Sequence, residues 1–583
     1  MNTEARFLIA IVLMLGVLVG TNLIFPPVPP EEGLVADSLS TAPAAGAEDA
    51  ATSPLPPSPE VSVPSGDVDL PFGAASGQPV NNTVVSVEPT SSEVRVVVES
   101  PLYRHEFSNY GARLVAAELK DFQSLAGAGG PLDLVTAGSM GLLGQRIVVG
   151  TDTLDLAGAA FEVEPAGGVT VQEGGGSETL SFVYEHPSGA FRFEQTYTFH
   201  PDSYIIDVEG TATGSALERP LLLTSLGDGL PYVEADSATE DRMMAYVSNH
   251  LEDGIRSVIQ AKAEPVVVEG PLRWAAVRNK FFVIAMLADR DEEMIDPVNL
   301  FGGLVVGQSA LPGRVQVRAA QSLASGGAFD YTLYMGPQEY ARLDALGQDM
   351  KEVNPYGWRI FRPIVRPFVA VIMWILAFLH TNLSLGYGWV LIVFGVMMRV
   401  VLFPLNQKAM RAQLRNMAVQ PLVQEVQAKY KDNPEKLQKE MMRLYKEHGF
   451  NPLAGCLPML LPWPVLIALF FVFQNTIELR GVEFLWMPDL SAPDPLYLLP
   501  VFLGLSMFLM QYVSMKSLDK PNPQMKMMMY IMPVMMVFIF FRLASGLNLY
   551  YATANIATIP QQIYIARERM KMKGKPPPTF KSK

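Results

Sequence analysis

Cysteine is nearly absent. The 583 residues hold one, Cys456, inside an apolar segment, so no disulfide forms within the chain and no metal site can rest on thiolates. Histidine is scarce as well, at six. The four that precede residue 350, His105, His186, His200 and His250, are scattered without an acid–base constellation, which argues against a sugar-active enzyme carried on a membrane anchor. No G-x-x-x-x-G-K-S/T loop occurs, so no intrinsic nucleotide-driven motor and no cofactor is implied. Positive charge is missing from residues 26–91, which contain no Lys or Arg and are rich in Pro, Ala, Ser, Gly and acids. Such a segment cannot bury enough apolar surface to offset its ordering entropy, and is expected to be a disordered tether that leaves the adjoining domain free to move.

What is present is unevenly placed. Hydrophobic residues make up 49% of the chain and mean hydropathy is +0.20, so the apolar residues must be concentrated outside the polar stretches. Residues 1–350 hold 18 Lys and Arg against 46 Asp and Glu, a net −28. Residues 351–583 hold 26 against 12, a net +14, and the two sum to the chain's −14. An acidic front and a basic, apolar back point to two compartments and two solvents.

Residues 7–25 form an uncharged 19-residue run after Arg6, and Phe25 leads into Pro-Pro-Val-Pro-Pro instead of a small-residue cleavage site. Residues 1–25 are therefore expected to be an uncleaved anchor. Residues 92–345 read as a β-rich domain. Phe191, Phe193, Tyr197 and Phe199 alternate with Arg192, Glu194, Thr196 and Thr198, the period of a strand with one wet face. Residues 93–99, 204–208, 281–287 and 314–319 look similar, which suits a large antiparallel sandwich, and 338–346 should close it with a short helix. Residues 355–382 place Arg359, Arg362 and Arg366 before only about a dozen apolar residues, Phe368 to Leu379, the pattern of an interfacial helix.

Beyond residue 382 the apolar runs lengthen. Leu383–Leu405 is one expected span, and roughly 457–477, 495–515, 527–543 and 547–566 are four more, the last two joined at Ala544-Ser545-Gly546. Lys and Arg cluster in three places. Nine lie between Asn406 and Gly449, three in Lys516–Lys526, and seven after Ala566. The positive-inside rule makes these cytoplasmic and puts the β domain on the far side, the periplasm of a bacterium. Residues 406–449 have the periodicity of an antiparallel helical hairpin. The expectation is a polytopic α-helical protein of the bacterial inner membrane with six spans. A five-helix core occupies 383–567, a large periplasmic β-sandwich domain 92–345, and a basic cytoplasmic tail 568–583.

Arg399 stands inside the first core span, beside Met397, Met398, Val400 and Val401. A charge there costs roughly 2.5–3.5 kcal/mol on insertion scales, so it should face protein or water and is a functional candidate. It also lies seven residues from Asn406, close enough for a long arginine to snorkel to the interface. A solute transporter is the rival reading, but Arg399 has no acidic partner in any expected span and no inverted repeat is detectable.

Three strings coincide with this layout: Arg399–Pro404 (RVVLFP), Asn451–Pro458 (NPLAGCLP) and Ser545–Asn555 (SGLNLYYATAN). With the single anchor and the large exported domain, they resemble the YidC/Oxa/Alb family of membrane protein insertases in its Gram-negative form. That resemblance implies a non-enzymatic insertase and chaperone, working alone or with the Sec translocon, whose partners are nascent membrane proteins and membrane lipids. It implies a β domain similar to sugar mutarotases and carbohydrate-binding modules; because nothing in the groove chemistry uses that domain, it is expected to be an accessory. It further implies a hydrophilic groove containing Arg399, with Gln511, Thr553 and Asn555 near it, and a substrate slide along Trp463, Pro464, Tyr550 and Tyr551. For Gln511, Thr553 and Asn555, helix–helix hydrogen bonding is the competing role. Pro462 departs from relatives, which often carry Gln there, and puts groove polarity at that point in question. The seven basic residues after Ala566 suit either ribosomal RNA or anionic lipid. Of 30 methionines, 21 follow residue 350, a composition suited either to a promiscuous apolar surface or to lipid-facing packing.

Overall fold

The computed structural model describes residues 84–86 and 92–572, except 128, 151, 215–219, 289–299, 325, 355, 358–360, 405–425, 427–428, 431–433, 448–462 and 517–522. The anchor 1–25, nearly all of the tether 26–91, much of the hairpin 406–449, the Asn451–Pro458 string, Pro462 and residues 573–583 of the tail lie outside the described residues.

Residues 84–86 and 92–345 form two facing sheets, one of 15 strands and one of 5 among the described residues. Pairing is antiparallel except where Val84–Ser86 meets Asp152–Asp155 and Arg95–Glu99 meets Val169–Thr170. Strand Phe191–Phe199 shows why the sequence folds this way. Every second residue from Phe191 is buried, and the strand is flanked by Glu178–Glu185 and Ile205–Gly214. Phe107 from the smaller sheet packs on Tyr197 and Phe182 of the larger at centroid distances of 5.0 and 5.7 Å, which fastens the layers. Gln195 breaks the apolar alternation, and it is satisfied. Its Oε1 accepts from Gln145 Nε2 at 3.3 Å, while Thr224 Oγ1 donates to Gln145 Oε1 at 2.8 Å. The expected closing helix is Tyr340–Ala345.

The helices are numbered in chain order. Two small ones, α1 (Ser237–Met243) and α2 (Tyr340–Ala345), belong to the β domain. They are followed by α3 (Arg362–Leu383), α4 (Tyr387–Pro404), α5 (Pro434–Glu447) and α6 (Trp463–Asn475). The last three are α7 (Leu498–Lys516), α8 (Pro523–Phe540) and α9 (Ser545–Met572). Helix α3 is longer than its dozen apolar residues implied. It runs 22 residues, about 33 Å, because Pro363 starts it and Pro367, still in the first turns, does not stop it. By length and composition alone, α3 and α4 are each able to cross a membrane. Val365, Val369, Ile372 and Leu376 of α3 are buried, while Val371, Trp374 and Phe378 are exposed.

The α8–α9 connection falls earlier than Ala544-Ser545-Gly546. The turn is 541–544, and Ser545 and Gly546 already belong to α9. The loop 489–492 lies across that helix start. Ser545 N donates to Ala492 O at 2.7 Å, Gly546 N to Leu490 O at 2.8 Å, and Ser545 Oγ to Asp489 O at 2.9 Å. A β-carbon at Gly546 would lie 3.1 Å from Leu490 O, which explains the glycine. Asn548, fully buried, donates to the turn carbonyls of Phe540 and Leu543.

Candidate functional site

The face of α4 towards α9 is built around a glycine and an arginine one turn apart. A β-carbon at Gly395 would stand 3.3 Å from Thr553 Cγ2 and 3.5 Å from the Tyr550 carbonyl oxygen, so the two helices approach closely there. Arg399, four residues on, lies on the same side of α4. Its guanidinium is within electrostatic reach of the Tyr550 and Tyr551 hydroxyls. Its Nε is buried without a hydrogen-bond partner among the described residues. Three residues singled out from the sequence therefore converge. Tyr550 does not form an outer surface, because its ring packs on Phe394 at 5.7 Å and Phe473 at 5.4 Å and is buried. Tyr551 beside it is half-buried.

The remaining candidates separate. Asn555 Nδ2 donates to Ser506 Oγ of α7 at 3.2 Å, and that hydroxyl donates on to Leu503 O at 2.7 Å. This is the helix–helix bonding role. Gln511 is half-buried on α7; five residues from Ser506, it lies about 140° round the helix and does not share that contact. Trp463 opens α6 and Pro464 is half-buried in its first turn.

Sequence reasoning missed a second centre, where the segment after α6 meets the β domain. Arg480 Nε donates to Glu234 Oε1 at 2.6 Å, with both side chains under a tenth exposed. Arg480 Nη2 donates to the Gln123 carbonyl at 2.8 Å, and the guanidinium lies over the Phe282 ring at 5.2 Å. Lys280 Nζ donates to Ser491 O at 3.1 Å, and Ile477 is buried in the apolar core of the β domain. Burial pushes the Glu234 carboxyl above its usual range even though Arg480 pulls it down, so desolvation outweighs the ion pair. Burial likewise lowers Lys280, and it raises Glu240, whose carboxylate accepts from Val233 N and Glu234 N, to about 7. Glu478 is also raised by burial to about 7, and its Oε2 has no partner among the described residues. The expectation of a domain free to move on its tether does not hold at this contact. The signal was in the sequence: Arg480 is the only base in a stretch carrying Glu478, Glu483, Asp489 and Asp494.

The histidines of the β domain have separate partners. His200 Nε2 meets Asp207 Oδ2 at 2.8 Å, His186 Nδ1 meets Ser188 Oγ at 2.7 Å, and His250 Nε2 meets Ser248 Oγ at 3.1 Å. His105 is buried, stacked 4.1 Å from Tyr103, and pushed down to about 3 by desolvation, so it is neutral.

A β-sandwich fastened to apolar helices that enclose a cation defines a membrane protein with an exported domain. The comparisons give the family. Residues 95–371 match the family described as YidC periplasmic domain, and 378–573 that described as 60Kd inner membrane protein. The membrane protein insertase YidC of Chlorobaculum parvum is 32% identical over 545 residues, covering 88% of this chain and 89% of its own. That of Chlorobium phaeovibrioides is 34% identical over 511 residues, covering 81% and 83%. A crystal structure of an active YidC insertase with its first transmembrane domain resolved covers 82% of this chain and 95% of its own, at 20% identity and a TM-score of 0.33. The chain belongs to the YidC family of membrane protein insertases. It is an insertase of the inner membrane, not an enzyme, its substrates are nascent membrane proteins, and its β-sandwich is periplasmic.

Proposed function

We propose that the α4–α9 face around Arg399 is the wall of a hydrophilic groove that receives the polar tail of a nascent membrane protein. The observation that carries this reading is the buried, unpartnered Nε of Arg399 beside Tyr550 and Tyr551. Moving a hydrophilic segment through a bilayer strips its hydration, and each unsatisfied backbone group in hydrocarbon costs several kcal/mol. A groove reaching part-way into the membrane shortens that dry path, and a fixed cation attracts the acids of a translocated tail. The apolar segment of the client then slides along Trp463, Pro464 and Tyr551 into lipid, with Tyr550 supporting Arg399 from behind. Thr553 and Gln511 line the groove, and Asn555 holds α7 to α9. The Sec translocon is a partner for larger clients, and the basic tail and cytoplasmic hairpin receive the ribosome or anionic lipid.

We read six spans: the anchor, α4, α6, α7, α8 and α9, with α3 along the periplasmic surface. Three contacts support this placement of α3. Its N-terminal Arg366 pairs with Glu352 at the edge of the β domain. Its middle residue Met373 accepts a weak hydrogen bond from Thr476 Oγ1, just past α6, at 3.7 Å. Near its end, His380 stacks on Tyr387 at the start of α4, 4.1 Å away. Beginning, middle and end all meet residues at the level of the docked β domain.

The test is a charge series at Arg399, read as insertion of small clients into proteoliposomes at matched protein levels. Lys should be substantially active, Ala and Gln weaker, and Glu worst. Loss should be greatest for clients with acidic translocated tails, and neutralising those acids should rescue the Arg399→Ala variant. Equal loss for acidic and neutral tails removes the electrostatic role.

A further inference from the structure

The loop between α6 and α7 also carries exposed apolar side chains besides the residues that meet the β domain. Residues 482–490 form a small hairpin: Leu490 N donates to Val482 O, and Phe484 and Met487 bond each other's backbones in both directions at 2.8 and 3.0 Å. Its tip is Leu485-Trp486. Such tips are ordinarily Gly, Asn or Asp. Here Leu485 takes the left-handed conformation at φ +56° and leaves 72% of its surface exposed. Leu496-Tyr497 repeats the pattern immediately before α7, with Tyr497 at φ +55° and both side chains about half exposed. The left-handed conformation costs an L-residue roughly 1–2 kcal/mol; hydrogen bonds to Asp494 and the packing of Tyr497 on Phe541 at 4.8 Å hold the tips in place, yet leave their apolar side chains in the open.

A buried carboxylate joins the two tips. Asp494, fully buried, accepts from the Trp486 indole Nε1 at 3.0 Å, from Leu496 N at 3.0 Å and from Leu499 N at 2.7 Å. The indole donor is thus satisfied inside the protein, and its exposed ring edge is apolar. Trp389, on the first turn of α4 and itself exposed, meets Phe484 edge-on at 5.5 Å. Leu498, Val501, Phe502 and Leu505 continue the exposed apolar surface down α7. The tips therefore extend the lipid-facing surface of the helices at the level where those helices begin. Because the same loop holds the periplasmic domain through Arg480 and Ser491, that level is the periplasmic one.

We infer that the Leu485-Trp486 and Leu496-Tyr497 tips are embedded in the headgroup–acyl boundary of the periplasmic leaflet, and that this part of the loop binds a lipid surface. Leucine, tryptophan and tyrosine suit that boundary, and transfer of two exposed leucines and an indole edge out of water is favourable. The experiment uses the full chain in phosphatidylethanolamine–phosphatidylglycerol vesicles, with Cys456→Ser and a nitroxide on Leu485→Cys or Leu496→Cys. A nitroxide on Val258→Cys, exposed in the β domain, is the aqueous reference. Labels at 485 and 496 should collide with oxygen more than with a water-soluble nickel chelate, and the label at 258 should do the reverse. Nickel collisions at 485 and 496 equal to those at 258 overturn the inference, as do labels shielded from both probes, the outcome of a protein–protein contact. Retained tryptophan emission and protease resistance of each labelled variant verify that the fold survives.

Discussion

The β domain and the helical core bury their apolar residues by different means. In the domain Trp274, Phe107, Phe182, Phe193 and Phe281 are closed off by other side chains, and strands alternate between core and water. In the core, helices are apolar on both sides: Val365 and Ile372 of α3 pack inward while Trp374 stays 66% exposed, and Phe538 of α8 stays 68% exposed. Protein completes the first set of contacts; on the proposed reading of the helices as spans, lipid completes the second. Charge is placed differently too: several ion pairs of the domain lie at its surface, whereas Arg399 lies among the helices with its Nε buried. The contrast teaches that burial has to be judged against the solvent each surface meets, and that the joint between the two regions is where charges become enclosed.

The largest effect should come from breaking that joint. Arg480→Ala leaves the Glu234 carboxylate buried and unpaired, a change of about 3–5 kcal/mol. Deuterium uptake should rise along 233–240 and 280–282 while the centre of the sandwich stays protected. Arg480→Met combined with Glu234→Leu, which removes both charges and keeps the volume, should return uptake towards that of the native chain. Unchanged uptake in Arg480→Ala would mean that the Lys280 and Ile477 contacts suffice for docking.

Next in size is a direct contrast of the two solvents. Val534 and Val258 are both exposed, yet lysine at 534 should cost roughly 3 kcal/mol of stability in bilayers and lysine at 258 within about 0.5 kcal/mol of nothing. Equal costs in reconstituted vesicles would show that the outer face of α8 is not in lipid.

Glu478 gives a pH-dependent effect. Its folded-state value, about 7, lies above the ordinary 4.5, so the folded protein binds the extra proton between those values. Stability should therefore fall as pH rises from 4.5 to 7, by up to about 3 kcal/mol, and stay low above 7. Glu478→Gln should remove its share of that slope, leaving the part that Glu240 contributes over the same range, and raise the melting temperature at pH 8, measured by tryptophan emission in micelles. The smallest effect belongs to Asn555→Ala. Loss of its bond to Ser506 should cost about 0.6 kcal/mol, detectable in a double-mutant cycle with Ser506→Ala.

Much of the domain was legible because period and burial agree locally. The expected strand at Phe191 coincides with the observed Phe191–Phe199, and the closing helix was placed within two residues at its start and one at its end. Gln195 was not legible, because its partners Gln145 and Tyr331 are 50 and 136 positions away. Arg480 escaped for the same reason, since Glu234 precedes it by 246 residues. The full length of α3 was hidden by proline and arginine at its start. Around the candidate groove, Arg399 could be named from the apolar run that holds it, and Tyr550 and Tyr551 from the family resemblance as slide residues, but the burial of Tyr550 depends on Phe394 and Phe473 arriving from two other helices.

The Arg480 contact also has a mechanical meaning. A body held by one strap swivels in any direction; one that is also pinned at several points passes a pull on to whatever holds the pins. The sandwich is strapped to the helices by the chain leading into α3 and pinned at Arg480, Ile477 and Ser491, all between the end of α6 and the start of α7. A pull on the exported domain therefore becomes torque on those two helices, and strain applied in the periplasm reaches the bundle that holds Arg399.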